Sequence, residues 1–402
     1  MELNKAYVVA AKRTAVGSFN GALSTVSPKD LGVPVVKAVL VEAGIKPEDV
    51  NEVICGNVLS AGLGQNIART ISLESGIPQE VPAHSTNMVC GSGLRTIVEA
   101  AMSVQTGFND VVLAGGVESM SQAPFLVPGK VRTGYKMGDM VAVDHMLRDG
   151  LTDARLNIHM GITAENVAEK YHITREMQDQ FAYDSHMKAV KAIDAGKFKD
   201  EIVPITIHSR KGDKVVDVDE CPRRDTSLEV LAKLRTAFKD GGTVTAGNAS
   251  SINDAASFCL IVSEAALKKY NLKPMCEIIG YGQGGVDPAY MGLGPVVATR
   301  NALKSCNLKL ADMELMELNE AFAAQSLGVI EELVKEHGMD RAGLMKRVNV
   351  NGGAIAIGHP IGASGNRIFV TLLHEMVKEN KKLGLATLCI GGGQGVAVIV
   401  KR

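Results

Sequence analysis

Residues 90–116 read CGSGLRTIVEAAMSVQTGFNDVVLAGG. After the glycine-rich segment 90–93, apolar residues recur at i, i+3, i+4, i+7 and i+8 from Leu94 to Met102, and this spacing predicts a helix with one buried face. Gly107 ends the helical pattern, and the apolar run at 111–114 predicts a buried strand that stops at two glycines. A turn, a helix and a strand in succession are typical of an α/β protein.

The same pattern returns towards the C-terminus, where residues 362–393 read GASGNRIFVTLLHEMVKENKKLGLATLCIGGG. From Phe369 to Val377 the apolar residues have the same helical spacing, and a strand pattern at 385–390 again stops at consecutive glycines. Any α/β protein offers units of this kind, but two units with matching spacing favour a duplicated domain. We therefore predict two related α/β halves.

The composition is that of a globular protein with more than one domain. The 402 residues include 46% hydrophobic and 22% charged residues, which suits an ordered core rather than intrinsic disorder. The 43 Lys and Arg residues against 44 Asp and Glu residues give a net charge of −1. This balance argues against a nucleic-acid partner, because such proteins carry a basic face. It is compatible with a local basic patch for a small anion.

Two further observations concern the compartment of the cell in which the protein is expected. No run approaches the roughly 18 uninterrupted apolar residues of a membrane span, and the apolar segment 6–11 is too short for a signal peptide and predicts a first strand. The seven cysteines are scattered and include no C-x-x-C pair, so neither a metal site nor a disulfide framework is expected. We predict a protein of the reducing cytoplasm without membrane contact.

The middle of the chain differs in composition from the two repeated units. Between residues 119 and 247, loops rich in Pro, Gly and charged residues alternate with amphipathic helices, including one from an N-cap at Thr174 to a stop at Gly196. Strand-like sequence resumes at 252–263, and Lys273 opens another unit. The predicted units are an N-terminal half formed by 1–118 and 248–272, an inserted loop domain at 119–247, and a C-terminal half at 273–402.

Cys90 is the first candidate for chemistry. It stands directly before a Gly-Ser-Gly turn and a helix, whose unpaired N–H groups and dipole stabilise an anion. We therefore expect its thiol to ionise readily and to act as a nucleophile, with glycines that let a substrate carbonyl approach the backbone. A buried structural cysteine is the alternative from local sequence alone.

Three further positions carry weaker signals. His359 lies in a rigid Gly-His-Pro turn before a helix, which suits proton transfer or oxyanion donation, although a lone turn histidine is more often structural. Cys389 ends a strand just before three glycines, whose N–H groups would face a cleft. Asn319 opens Asn-Glu-Ala-Phe before an apolar helix, and a simple helix N-cap is the alternative there.

Together, four sequence blocks resemble those of the thiolases, in the same order. VCGSG at 89–93 resembles the acyl-accepting cysteine block of that family. NEAF at 319–322, GHP at 358–360 and CIGGG at 389–393 resemble the other three catalytic blocks. The resemblance spans essentially the whole chain and points to the short-chain acetyl-CoA acetyltransferase branch.

That resemblance implies a thiolase-like α/β fold, in which two duplicated halves form five layers, αβαβα, and the inserted loop domain covers a coenzyme A site. It also implies a homotetramer that joins two acetyl-CoA molecules into acetoacetyl-CoA and CoA. Coenzyme A thioesters are then substrates, and no metal or redox cofactor is expected.

The resemblance also assigns roles to the four blocks. It implies that Cys90 accepts the acetyl group after His359 takes its proton, and that Cys389 removes the α-proton of the second acetyl-CoA. The backbone N–H groups of Cys90 and Gly391 would hold the acyl oxygen. His359 and a water held by Asn319 would hold the enolate oxygen.

By the same resemblance, a further group of residues contacts the substrates. They are Arg223, Ser250, His159, Met160, Leu151, Phe238, Ala246, Ala249, Met291, Ala321 and Phe322. A guanidinium suits a phosphate or an adenine, whereas a solvated surface pair is the alternative for Arg223. Met160, Met291 and Phe322 would narrow the acyl pocket. Ser251 departs from the family pattern, in which glycine is common.

Other functions stay open at this point. Degradative 3-ketoacyl-CoA thiolases share all four blocks, so a thiolase for longer acyl chains is the alternative. Glycine clusters also occur in nicotinamide-dependent dehydrogenases, but no strand here is followed by G-x-G-x-x-G with an acidic residue about 20 positions later. A noncatalytic carrier relative would be expected to lack the cysteines and the histidine, which are present.

Overall fold

The two repeated helix–strand units form as their spacing predicts, except that the first strand does not stop at Gly115 and Gly116 but continues through them to Ser119. The computed structural model describes residues 3–210 and 212–402. In the first unit, the helix Ser92–Gln105 precedes the strand Val111–Ser119, and in the second the helix Ile361–Lys378 precedes the strand Leu383–Ile390. The predicted helix after Thr174 is also confirmed, and the Thr174 side chain accepts a backbone N–H as its N-cap.

Strands and helices alternate along the chain. The strands are β1 (Ala6–Thr14), β2 (Gly17–Ser18), β3 (Glu52–Gly56), β4 (Ala83–Thr86), β5 (Val111–Ser119), β6 (Phe125–Leu126), β7 (Val143–Asp144), β8 (Thr152–Asp153), β9 (Ile158–His159), β10 (Ile202–Val203), β11 (Ile205–Ile207), β12 (Lys214–Val216), β13 (Asn253–Ser263), β14 (Cys276–Gly285), β15 (Leu315–Leu318), β16 (Leu383–Ile390) and β17 (Gln394–Lys401). The helices are α1 (Pro28–Ala43), α2 (Ile67–Glu74), α3 (Ser92–Gln105), α4 (Met160–Lys170), α5 (Arg175–Asp194), α6 (Leu228–Ala232), α7 (Glu264–Tyr270), α8 (Gly294–Ser305), α9 (Ala323–His337), α10 (Arg341–Met345), α11 (Ala354–Ile357) and α12 (Ile361–Lys378). Across the two described ranges, none of the helices has both the length and the apolar character to cross a membrane.

One sheet runs through both halves. Its order is β15-β16-β17-β14-β1-β13-β5-β3-β4, with β10 beside β1 and β2 beside β13. β3 is parallel to β4 and β5, and β15 is parallel to β16, whereas β13 and β17 are antiparallel to both of their main neighbours. The two groups of strands join where residues 6–8 of β1 pair with residues 276–278 of β14.

Helices cover both groups of strands and separate them. α3 and α12 pack on each other in the middle, where they contact strands of both groups. α1 and α2 pack on the outer side of the N-terminal strands, and α8 packs on that of the C-terminal strands, where α9 shares a buried apolar cluster with them. Separate buried apolar clusters fill the central and the two outer spaces. The predicted five-layer αβαβα arrangement is therefore confirmed.

Glycines let the two central helices approach each other closely. A Cβ on Gly365 would lie 2.3 Å from the backbone N of Leu94, and a Cβ on Gly93 would lie 2.8 Å from the backbone N of Asn366. Both contacts are with backbone atoms, which cannot swing away as a flexible side chain can. The Gly-rich turns thus bring the Cys90 loop and the His359 loop side by side.

Replacing Gly365 by alanine is expected to cost about 1–3 kcal/mol of stability, because the added methyl group overpacks a close-packed core. The midpoint of thermal unfolding measures this loss. Gly129→Ala is the matched control, because among the described residues no atom lies within 4 Å of its added Cβ. Equal melting of the two variants would contradict the close approach of the central helices.

The segment 119–247 forms short paired strands and the helices α4, α5 and α6. It is tied to the N-terminal half by the buried guanidinium of Arg13, which contacts Glu201 at 2.7 Å and Asp219 at 2.6 Å. The boundaries proposed for the three units remain a prediction. Met1, Glu2 and Lys211, which those units include, lie outside the described residues.

Candidate active site

The four predicted sequence blocks meet at one cavity of about 480 Å³. Cys90, His359 and Cys389 form part of its wall. The other predicted residues that line it are Arg223, Ser250, His159, Met160, Leu151, Phe238, Ala246, Ala249, Met291, Ala321 and Phe322. Asn319 lies against His359, and the backbone N–H of Gly391 is near enough to the thiol of Cys90 to favour its thiolate form. The fold thus brings all the predicted site residues together.

Cys90 is held between the end of β4 and the start of α3. Ser92 fixes the loop, because its hydroxyl accepts the backbone N–H of Met88 at 2.9 Å and donates to the carbonyl of Val89 at 2.7 Å. Val89 has a φ of 47°, a left-handed conformation that is strained for a β-branched residue. The surrounding packing therefore holds the backbone next to Cys90 in an unusual but defined position.

The expectation that Cys90 ionises readily is wrong for the free protein. The residue is only 8% exposed, and burial raises the pKa of its thiol to about 11. The backbone N–H groups of Gly391 and of Cys90 itself favour the thiolate, but the loss of hydration outweighs them. Cys90 therefore rests as a thiol, and its use as a nucleophile requires a base.

His359 offers an unprotonated ring nitrogen for this role. Its backbone N–H donates to Oδ1 of Asn253 at 2.7 Å, which fixes the turn before α12. Burial and the positive charge of Arg367 lower the pKa of the imidazole to about 3, so the ring is neutral near pH 7. The ring atom Nε2 is buried and has no hydrogen-bond partner among the described residues. The unpaired nitrogen of this neutral ring is able to accept a proton, but the lowered pKa makes the ring a weak base, so the proton has to move as the sulfur bonds to the substrate.

Cys389 adds a second thiol near the end of β16. Burial raises the pKa of this thiol well above its ordinary value, and the nearby Cys90 raises it further because two thiolates repel each other. Both sulfur atoms are therefore protonated at rest and electrostatically coupled. A proton removed from one of them has to be held by another group in the same cavity.

Asn319 follows β15 directly and is not a helix cap. The N-cap position of α9 is occupied by Phe322, so the alternative of simple capping is wrong. The amide Nδ2 of Asn319 instead lies 3.4 Å from Nδ1 of His359. The next residue, Glu320, anchors the segment, because its buried carboxylate accepts hydrogen bonds from Ser185 at 2.6 Å and Asn349 at 2.8 Å.

The cavity continues outward into a second one of about 700 Å³, and Arg223 lines both of them. Aromatic rings narrow the inner part, since His159 stacks on Phe238 at 4.7 Å between ring centroids and Phe238 meets Phe322 edge-on at 6.1 Å. The ion pair at the nearby surface is formed by Arg224 rather than by Arg223, and Arg224 contacts Asp194 at 2.6 Å. The shape therefore suits a thin ligand arm with an anionic outer end near Arg223.

Several residues of the site gave no signal in the sequence. Ser18, at the end of β2, and Phe19, in the turn that follows, line the cavity although they are far in sequence from the four blocks. Glu118 is buried beside the two catalytic loops and accepts the N–H groups of Val58, Leu59 and Gly362. These contacts join parts of the chain that are distant in sequence, so local spacing does not predict them.

Comparison with known proteins finds relatives along the whole chain. The family models for the N-terminal and C-terminal domains of thiolase match residues 6–265 and 272–402. The acetyl-CoA acetyltransferase of Chromobacterium violaceum is 54% identical over 396 residues, which cover 98% of this chain and 99% of that protein.

Solved structures are similar over the same extent. The acetyl-CoA acetyltransferase from Syntrophomonas wolfei has a TM-score of 0.96 and 42% identity, with 100% of each chain covered. Human mitochondrial 3-ketoacyl-CoA thiolase in complex with CoA has a TM-score of 0.92 and 44% identity, covering 99% of this chain and 98% of that chain. With two thiols and a neutral imidazole at one cavity, and with these similarities along its full length, the chain belongs to the thiolase family of acyltransferases.

Proposed function

We propose that this protein is an acetyl-CoA acetyltransferase, which joins two acetyl-CoA molecules into acetoacetyl-CoA and CoA and also catalyses the reverse thiolysis. The observation that carries the proposal is the meeting of Cys90, Cys389 and the neutral His359 at one narrow cavity. A carbon–carbon bond between two thioesters needs a covalent acyl carrier and a base for an α-proton. The two thiols supply one group for each task.

In the first half-reaction, Cys90 accepts the acetyl group. Nε2 of His359 takes the thiol proton, the sulfur bonds to the thioester carbonyl carbon, and the bond from that carbon to the sulfur of CoA breaks. The N–H groups of Gly391 and Cys90 hold the carbonyl oxygen while charge develops on it. The leaving CoA thiolate takes the proton of Cys389, so an imidazolium and a Cys389 thiolate remain.

In the second half-reaction, the Cys389 thiolate removes an α-proton from the second acetyl-CoA. The enolate attacks the acetyl carbonyl, which forms the new carbon–carbon bond and breaks the bond to the Cys90 sulfur. His359, with a water held by Asn319, stabilises the enolate oxygen and then returns its proton to Cys90. Both thiols are protonated again and no electron has been transferred. That no metal or redox cofactor takes part remains a prediction.

The inner end of the cavity supports a preference for short acyl chains. Met160, Met291 and Phe322 are buried and pack in one apolar cluster with Cys389. The Sδ atom of Met160 lies 3.4 Å from the position of a Cβ on Gly391, so this side chain adjoins the backbone that holds the acyl oxygen. A longer acyl chain would have to displace it.

Shortening Met160 to alanine is therefore expected to widen the substrate range. The ratio of kcat/KM for 3-ketooctanoyl-CoA to kcat/KM for acetoacetyl-CoA should rise about tenfold or more, since even one methylene is worth a factor of that size in an apolar pocket. Thiolysis rates at limiting substrate give the ratio. Met313→Ala, at a buried methionine of the outer apolar cluster, is the control for general loss of packing. An unchanged ratio in the Met160 variant would contradict its role as the limit on chain length.

A degradative 3-ketoacyl-CoA thiolase is the second candidate. It is favoured by the 44% identity to the human mitochondrial enzyme over 99% of this chain. Thiolysis of acetoacetyl-CoA and of 3-ketooctanoyl-CoA by the unmodified protein separates the two functions. We expect the higher kcat/KM for acetoacetyl-CoA. Comparable or faster thiolysis of the longer substrate would assign the protein to the degradative branch with the same mechanism.

We also propose a homotetramer located in the cytoplasm. Large exposed apolar side chains, among them Phe125, Met137 and Val141, lie on the hairpin formed by β6, β7 and the residues between them. β4 lies at one edge of the main sheet, where a second copy could add a strand. The seven free cysteines suit a reducing compartment. Light scattering is expected to give the molar mass of four chains. The mass of a single chain would contradict the proposed assembly.

A further inference from the structure

We infer that the hydroxyl of Ser364 fixes the tautomer of His359 and so keeps Nε2 unprotonated and able to take the proton of Cys90. Ser364 is fully buried in the first turn of α12, and its Oγ lies 2.6 Å from Nδ1 of His359. The inference rests on the proposed function, in which His359 is the base, and it adds a positioning residue to that base.

The direction of this hydrogen bond follows from a second contact of the same hydroxyl. The Oγ atom of Ser364 also lies 2.8 Å from the carbonyl oxygen of Pro360, and a carbonyl oxygen only accepts. The single hydroxyl proton therefore points to Pro360, which leaves a lone pair of Oγ facing the ring. Nδ1 then donates and carries the ring proton. The opposite arrangement would leave two acceptor oxygens facing each other with no proton between them.

One neighbour favours the opposite tautomer, but more weakly. The amide Nδ2 of Asn319 is a donor and lies 3.4 Å from the same Nδ1, at the outer limit of hydrogen bonding. The contact with Ser364 is much shorter and decides the outcome. Oδ1 of Asn319 is also buried without a partner among the described residues, so rotation of the amide would offer Nδ1–H a second acceptor.

The backbone around this pair is held at both ends. The backbone N–H of Ser364 donates to the carbonyl of Pro360 at 2.8 Å, and the backbone N–H of His359 donates to Asn253 at 2.7 Å. Ring and hydroxyl therefore belong to one anchored segment and meet before substrate binds. In the other tautomer Nε2 would already carry a proton. Protein molecules with that tautomer would have no base for Cys90.

The experiment is ¹⁵N NMR of protein labelled at its histidine nitrogens, with the His359→Asn variant used to assign the signals. We expect a protonated Nδ1 and an unprotonated Nε2 for His359 in the free protein. Ser364→Ala should give a mixed or reversed pattern, and Ser364→Thr, which retains a hydroxyl, should restore the original one. In thiolysis of acetoacetyl-CoA, Ser364→Ala should lower kcat about tenfold or more with little change in KM, because general base catalysis is lost in the wrong tautomer.

Ser72→Ala is the matched control, since Ser72 is an equally buried hydroxyl on α2, outside the cavity wall. It should change neither the His359 spectrum nor kcat. A wild-type spectrum with the proton on Nε2 would overturn the inference, and so would a Ser364→Ala variant with unchanged spectrum and kcat. The spectrum is read without substrate, so a protein with the predicted tautomer but no thiolysis would overturn the proposed function and leave the tautomer assignment standing.

Discussion

Replacing Cys90 by alanine is expected to lower the kcat for thiolysis of acetoacetyl-CoA by about 10⁴-fold or more, because no acyl-enzyme forms without the sulfur. Affinity for CoA should stay within a small factor, since the outer cavity around Arg223 is not altered. Initial rates measure the first quantity and titration calorimetry with CoA measures the second. A loss of turnover with retained CoA binding is the expected combination.

Cys276→Ala provides the control for this prediction. Cys276 is also a buried free cysteine, but it lies on β14 and not in the cavity wall. We expect this variant to keep most of the activity. A Cys90→Ala protein with more than about one-tenth of the wild-type rate would contradict the covalent mechanism, because removal of a covalent nucleophile costs far more than that.

The second large effect is expected for Cys389→Ala, which should separate the two half-reactions. Formation of acetoacetyl-CoA should fall by about 10³-fold or more, since this step loses the base that removes the α-proton. Transfer of one acetyl group from acetyl-CoA to Cys90 should continue, though more slowly, because water replaces Cys389 as the proton donor to the leaving CoA. Intact-protein mass spectrometry detects the acetyl group, and a condensation assay detects the missing product.

The matched control is Cys259→Ala, at another buried cysteine, which lies on β13 away from the cavity wall. It should carry out both half-reactions. If Cys389→Ala lost acetylation and condensation to the same extent, Cys389 would act in the first step as much as in the second. The proposed division of work between the two thiols would then be wrong.

The sequence predicts the fold well because the fold repeats. The spacing of apolar residues after Cys90 and after Gly362 indicates two helix–strand units, and both occur as α3–β5 and α12–β16. The change in composition after residue 119, to loops rich in Pro, Gly and charged residues, likewise corresponds to a region of short strands. β10 joins this region to the main sheet. These features are local in sequence, so periodicity and turn residues carry them.

The protonation state of the site does not depend on neighbouring sequence alone, and the prediction made from that sequence was wrong. The turn before α3 indicates N–H donors near Cys90, and these donors are present. What the turn does not reveal is that the thiol lies between the two halves, where burial raises its pKa. Desolvation depends on everything packed around a group, whereas the helix N-terminus is set by a few neighbouring residues.

The residues that position the catalytic side chains were also not predicted from the sequence. Asn253 holds His359 across 106 positions of sequence, and Glu118 holds Gly362 across 244. Ser364 is near His359 in the chain and lies within a quoted block, but only the two distances from its hydroxyl show what it does. Positioning contacts of this kind depend on geometry rather than on residue type.

The most direct test of the account is to locate the acetyl group. The protein is mixed with acetyl-CoA, quenched in acid, digested, and analysed by mass spectrometry of the cysteine-containing peptides. The account predicts acetylation of the peptide that contains Cys90, and loss of the label when free CoA is added before the quench. Acetylation of Cys389 in place of Cys90, or no acetyl-enzyme from a protein that turns over acetoacetyl-CoA, would contradict it.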